Sequence, residues 1–363
     1  MWLNSFFQAV RIRYLCGMQS APRTLKHDPA IARWLLIGVG MIMIQVLLGG
    51  ITRLTESGLS ITEWDVITGV LPPLSQEAWQ EAFRQYQATD QYKNIHQHFT
   101  LGDFQWIFFW EWFHRLWARL IGVVFLIGFI YFLSKGRFQR TMVTPLVVLF
   151  VLGAIQGAIG WIMVKSGLVP KEVYVNYAKL TIHLLAALLL LFYTLWLAFR
   201  LIPAYEQPVT DTRHKSFLIG LLILFTIQLM YGGFMAGLKA AQTAPTWPMI
   251  NREWIPSDWN DLHLQVHFIH RTLAYVLFLA SCIFFYQTRS LRTHSLFQRW
   301  RLAFIALITV QVLLGIFTVL HATDKQGSFI WLGVTHQFTA MLILISLAAM
   351  LFLHRKQPVS ESA

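Results

Sequence analysis

The sequence predicts an all-α integral membrane protein, with eight transmembrane helices arranged as two pseudo-symmetric four-helix bundles. Three observations carry this expectation. Of the 363 residues, 56% are hydrophobic and only 13% charged, outside the balance of a soluble globular chain. Apolar runs of the about 20 residues needed to cross a bilayer recur along the whole length, with many of the 15 tryptophans near their ends, as in an interfacial aromatic belt. Side-chain patterns in the first half also return in the second.

In chain order, residues 1–30 hold Arg11, Arg13, Arg23 and Lys26. No small-residue cleavage site follows a proper apolar core, so this segment reads as a basic cytosolic tail rather than a cleaved signal. Spans follow at about 31–53, 113–133, 141–164, 179–200, 216–237, 268–287, 301–321 and 332–354. The first outer loop, 54–110, includes SQEAWQEAFRQYQ, which predicts a helix. Ser75 is its N-cap, and Trp79, Phe83 and Tyr86 share a face. Such a helix lies along the membrane surface or lids a cavity. The second outer loop, 238–266, centres on TWPMINREWIP, and the inner loops are short basic connectors. The domains are thus an N-terminal half at 31–201, a C-terminal half at 202–354 and a short tail at 355–363.

The net charge of +12 is dispersed among short loops, which speaks for membrane topology and against nucleic acid. Inner segments hold 17 Lys/Arg against four acids (Asp28, Glu206, Asp211, Glu361), whereas outer loops hold 13 acids, Asp65 among them, against nine Lys/Arg. The positive-inside rule then puts both termini in the cytosol. Of the two cysteines, Cys16 lies in the tail and Cys282 in an apolar run. That excludes thioether haem attachment, zinc sets and thiolate clusters.

The repeat has a regular form. Gln45 with Gly49-Gly50 returns as Gln228 with Gly232-Gly233 at an offset of 183, and His114-Arg115 with Ala118 as His270-Arg271 with Ala274 at 156. Gln156 with Gly160 returns as Gln311 with Gly315 at 155, and His183 as His336 at 153. A parallel duplication relates two bundles by an axis along the membrane normal.

The candidate site centres on FQWIFFWEWFHRLWARL, residues 104–120, where Glu111 and His114 share a helix face at the mouth of an apolar run. His114, His183, His270 and His336 each fall near the start of an even-numbered span, so all four lie toward the outer side. Neutral imidazoles on facing helices suit axial ligation of haem iron, and 28 phenylalanines are available to line a porphyrin slot. Zinc or copper would need a denser donor cluster, and a proton relay would spread its groups through the membrane. A respiratory cytochrome b stacks its haems across the bilayer with two histidines per ligand helix. One histidine per helix here puts both candidate haems on one side.

The plainer reading of each histidine is a hydrogen-bonded polar group inside a bundle, and four repeat-equivalent positions weigh against it. That plainer reading stands for His96, His98, His263 and His321 in or beside outer loops. His27, His214, His294 and His354 fall on the cytosolic side, solvated or at headgroups. Arg115 and Arg271 suit either haem propionates or interfacial anchoring. The equivalent of Glu111 is His267, so one half alone carries a carboxylate. This suggests that the halves have diverged, one for chemistry and one for support or electron delivery. A buried carboxyl suits proton transfer; the alternative is that Glu111 only holds the lid loop.

With these residues in hand, the chain resembles the haem A synthase family (the CtaA/Cox15 group) from about residue 34 to 350. The most specific pieces are GGITRLTESGLSITEWDVITGVLPPLS, FFWEWFHR, TWPMINREWIP and VHFIHRTLAY. The resemblance implies eight helices in two halves, four haem-facing histidines, and oxidation of the C8 methyl of haem O to a formyl group. By motif, Glu111 matches the glutamate of the Glu-x-x-His signature implicated in catalysis. His114 and His183 match the substrate haem pair, and His270 and His336 the pair that holds a haem b cofactor. Some bacterial members carry a cysteine pair in the first outer loop, absent here, which puts any thiol step in doubt.

The expectation is therefore a haem-dependent oxidoreductase making haem A for terminal cytochrome oxidase, in a bacterial inner membrane rather than a mitochondrial one. Its expected partners are haem O as substrate, haem O synthase, oxidase assembly factors, an electron donor and the bilayer. The alternative is a di-haem electron-transfer or haem-carrier protein without oxidising activity; a third reading is a small-molecule transporter.

Overall fold

The computed structural model describes residues 27–63, 68–209, 213–324 and 327–355. The basic residues of the N-terminal tail, Cys16, Asp65, Asp211 and Glu361 lie outside them. Eight helices are long and apolar enough to cross a membrane. They are α1 (Pro29–Leu54), α3 (Leu101–Ser134), α4 (Arg140–Lys165), α5 (Tyr177–Phe199), α6 (Lys215–Gly237), α7 (Leu262–Gln287), α8 (Ser295–Leu320) and α9 (Ser328–Leu353). A further helix, α2 (Gln76–Gln87), belongs to the segment between α1 and α3. No strand occurs among the described residues beyond one isolated bridge between Ile250 and Glu253.

Several helices start before their apolar runs do. The α3 helix begins at Leu101 rather than near 113, because Thr100 and Asp103 form a capping box. Thr100 Oγ1 accepts from the Asp103 N–H at 3.3 Å, and Asp103 accepts from the Thr100 N–H at 2.9 Å. Reciprocal caps satisfy two orphan donors and start a helix in polar sequence. Asp261 does similar work for α7 by accepting from the His263 N–H at 2.7 Å. Glu111 and His114 therefore sit about three turns inside a helix, not at its mouth.

The α2 helix forms where its periodicity predicts, with Ser75 Oγ capping the Ala78 N–H at 3.2 Å. Its aromatic face packs on the extension of α3, with ring centroids 5.0 Å apart for Trp79–Phe108, 5.1 Å for Phe83–Phe104 and 5.4 Å for Tyr86–Phe104. It is a brace against α3.

Within the first four spans, α1 packs on α3 and α5, and α4 packs on α3 and α5. Among the last four, α6 packs on α7 and α9, and α8 packs on the same two. The two groups meet through α1 with α9, α5 with α6, and α5 with α9. Paired glycines let them approach, since a Cβ on Gly50 would collide with Gln337 and one on Gly233 would lie 2.7 Å from Thr181 Oγ1. The main apolar core gathers around the C-terminal parts of α5 and α9, from Ala187 to Phe199 and from Ala340 to Leu353. That leaves room at their N-terminal ends. One expectation fails here: His354 is fully buried, its Nδ1 2.9 Å from the Met350 carbonyl, rather than solvated.

Candidate functional site

His114 on α3, His183 on α5, His270 on α7 and His336 on α9 all line one continuous cavity of about 830 Å³. This lies toward the upper end of the roughly 300–1,000 Å³ usual for ligand pockets.

Every ring is seated in the same way. A Cβ on Gly49 would lie 3.1 Å from His114 Cε1, on Gly160 2.8 Å from His183 Cε1, on Gly232 3.4 Å from His270 Cε1, and on Gly315 3.2 Å from His336 Cε1. Each glycine lacks a side chain where an imidazole needs its space. One turn earlier on the same helix face stands a glutamine. Gln45 Nε2 lies 3.1 Å from His114 Nε2, Gln156 Nε2 3.2 Å from His183 Nδ1, Gln228 Nε2 3.2 Å from His270 Nδ1, and Gln311 Nε2 3.2 Å from His336 Nε2.

The other carboxamide atom, Oε1, is buried without a partner in all four glutamines, as is Nδ1 of His336. Buried polar atoms normally find partners. Imidazoles lining a large apolar cavity, flanked only by an amide, are therefore suited to a further ligand at the ring nitrogens. Neutral nitrogen donors in facing pairs match haem iron. The residues present fit a haem group in each half.

Glu111, 3% exposed, lines the same cavity. Its Oε2 accepts from Ser60 Oγ at 2.7 Å and the Ile61 N–H at 2.9 Å, and its Oε1 from Arg115 at 2.6 Å. Arg115 also donates to the carbonyls of Ile61 and Glu63 at 3.2 and 3.1 Å. At the equivalent place, Arg271 Nε donates to His267 Nε2 at 3.0 Å and its guanidinium reaches the carbonyls of Ala244, Thr246 and Met249. Both arginines thus fasten a loop to a cavity-lining helix, each also bonded to the residue one turn before it on the same helix face.

Just beyond the C-terminal ends of α1 and α6 lies a network that the sequence did not reveal. Glu56 pairs with Lys239 and accepts from His96 at 3.1 Å. His96 Nδ1 lies 2.6 Å from the hydroxyl of Tyr86, which donates to Gln91 at 3.0 Å. The His96 hydrogen bond, with Lys239 adding to it against the opposing cost of burial, holds the Glu56 carboxyl down at about 2. Burial pushes the Tyr86 phenol up. Glu56 and Lys239 stand 183 residues apart, the offset that relates Gln45 to Gln228, and both have a left-handed backbone with φ of 58° and 54°. Arg53 likewise donates to the carbonyl of Ala236, again 183 residues on.

Comparison with known proteins adds a family. Residues 32–348 match the COX15-CtaA model, described as cytochrome oxidase assembly protein. The chain is 38% identical over 338 residues to a protein named Heme A synthase from Flavobacterium psychrophilum, covering 88% of this chain and 96% of that one. It is 40% identical over 323 residues to one so named from Rhodopseudomonas palustris, covering 86% and 85%. A third, from a Bradyrhizobium species, is 40% identical over 341 residues, covering 90% and 91%.

Proposed function

The chain belongs to the COX15-CtaA family of cytochrome oxidase assembly proteins, and from that premise we propose that it is a haem A synthase of the bacterial inner membrane. In this reading it oxidises the C8 methyl of haem O to a formyl group. Each of two hydroxylations replaces one methyl C–H bond by C–OH, a two-electron oxidation at the expense of an external oxidant, and the resulting gem-diol loses water to leave the aldehyde. The observation that carries the reading is the fourfold seat: histidine, glycine and glutamine, repeated on four pairs of helices around one cavity.

Residues 31–201 and 202–354 act as duplicated halves. In support, exchanging α1, α3, α4 and α5 with α6, α7, α8 and α9 maps the principal helix contacts onto themselves. His114 and His183 hold the substrate, and His270 and His336 hold haem b. When bound, that cofactor supplies one-electron chemistry and adds stability to its bundle. Both termini face the cytosol and the haem sites the outer side, as the loop charges suggest. Haem O synthase, oxidase assembly factors and an electron donor are the partners expected of this function.

Glu111 accepts hydrogen bonds on both oxygens, from three donors. That supports a brace that fixes the reacting edge of the macrocycle and the loop over it, ahead of a role as proton carrier. Pigment extraction from cells expressing the chain with a haem O synthase tests the function: haem A or its hydroxymethyl precursor is expected. Unchanged haem O would favour a carrier, and a haem-free protein would favour a transporter. Glu111→Gln converting haem O at the normal rate would remove Glu111 from the mechanism.

A further inference from the structure

The four seat glycines touch histidines, but a second set touches nothing. Gly122 on α3 and Gly153 and Gly157 on α4 line the cavity, yet a Cβ on any of them would meet no atom within 4 Å. All three are also exposed, so the cavity reaches the flank of the molecule through the seam between α3 and α4. Glycine weakens a helix relative to alanine, and no neighbouring atom requires it at these places.

The repeat supplies the comparison. At the offsets of 156 and 155 that relate the ligand helices, Gly122 corresponds to Phe278, Gly153 to Ile308 and Gly157 to Val312. Those three line the cavity as well, but Ile308 is buried and Phe278 and Val312 are half-buried. The same seam is therefore open in the N-terminal half and plugged by three large apolar side chains in the C-terminal half. Its surroundings are apolar, with Phe125, Leu149 and Phe150 beside it.

We propose that this gap is the binding slot and membrane-side entry for a long apolar tail on the porphyrin held in the N-terminal half. The plugged C-terminal half then accepts only a tail-less porphyrin. The inference rests on the haem A synthase reading and assigns its specificity. Haem O carries a farnesyl-derived tail that haem b lacks, so Gly122, Gly153 and Gly157 sort substrate from cofactor. Since an added Cβ meets no protein atom within 4 Å, alanine at these places leaves the ligand-free fold undisturbed, and larger residues fill the gap that a ligand would occupy.

The test expresses the full chain with a haem O synthase, purifies it in detergent and separates the extracted pigments by chromatography. The variants Gly153→Ala, Gly153→Val and Gly153→Ile, the last also combined with Gly157→Val, form a graded series. Tailed haem per protein is expected to fall stepwise, at least tenfold in the double variant, while haem b stays at the wild-type level and reports an intact fold. A flat series, or parallel loss of both pigments, overturns the slot. A wild-type chain that carries no tailed haem overturns the underlying function instead, and the two failures are distinct.

Discussion

The seat glycines allow a graded prediction. Alanine at each of the four places gains about 1 kcal/mol of helix propensity over glycine, so the fold by itself favours every substitution. The imidazole opposes it to a different degree each time. The new Cβ would lie 2.8 Å from the ring at Gly160, 3.1 Å at Gly49, 3.2 Å at Gly315 and 3.4 Å at Gly232. Restoring an ordinary contact of 3.4 Å moves His183 by about 0.6 Å, His114 by about 0.3 Å, His336 by about 0.2 Å and His270 hardly at all. Ligand sites tolerate displacements of about 0.5 Å. Gly232→Ala is thus expected to leave haem content and spectrum unchanged while raising stability. Gly160→Ala is expected to lose much of the pigment in its half, and the other two to shift spectra mildly. Haem content, low-temperature absorption and thermal unfolding of the four purified variants supply the readouts. Equal spectra for Gly160→Ala and Gly232→Ala, or a reversed order, would refute ring seating on glycine as the basis of ligand geometry.

Three other expectations follow from named contacts. Gln228→Leu or Gln311→Leu removes the amide that holds the His270 or His336 ring in place and should weaken haem binding through a displaced ligand, measured by titrating haem into depleted protein; unchanged affinity would separate these amides from the ligands. Tyr86→Phe strands buried groups on Gln91 and His96 and should cost about 1–3 kcal/mol, seen in thermal unfolding and faster proteolysis of the first outer loop. The Glu56 carboxyl is held at about 2, below its ordinary 4.5, so its stabilising effect is complete above the ordinary value and is lost as pH falls toward 2. Thermal midpoints recorded across that window should fall in the native chain and flatten in Glu56→Gln; parallel curves would count against the network.

Much of this was legible in the sequence, for identifiable reasons. Apolar length marked the spans, and the four histidines stood out because a buried imidazole is rare and was repeated. Ser75 and its aromatic face gave α2. Helix starts were less legible, since the Thr100–Asp103 box carries α3 well beyond its apolar run. The glutamines were visible only as repeat markers. Their spacing to Gly49, Gly160, Gly232 and Gly315 becomes meaningful once a ring from the next helix lies across both. Nothing local foretold that Arg115 and Arg271 spend donors on loop carbonyls, because those partners come from distant, irregular backbone.

The Glu56–Lys239 contact has a consequence for assembly. Were two N-terminal halves to dock in the same manner, glutamate would confront glutamate; two C-terminal halves would set ammonium against ammonium. Like charges so placed repel, so this contact favours the mixed pairing. Separately synthesised halves would therefore prefer each other over copies of themselves, by the modest amount that a partly exposed ion pair contributes.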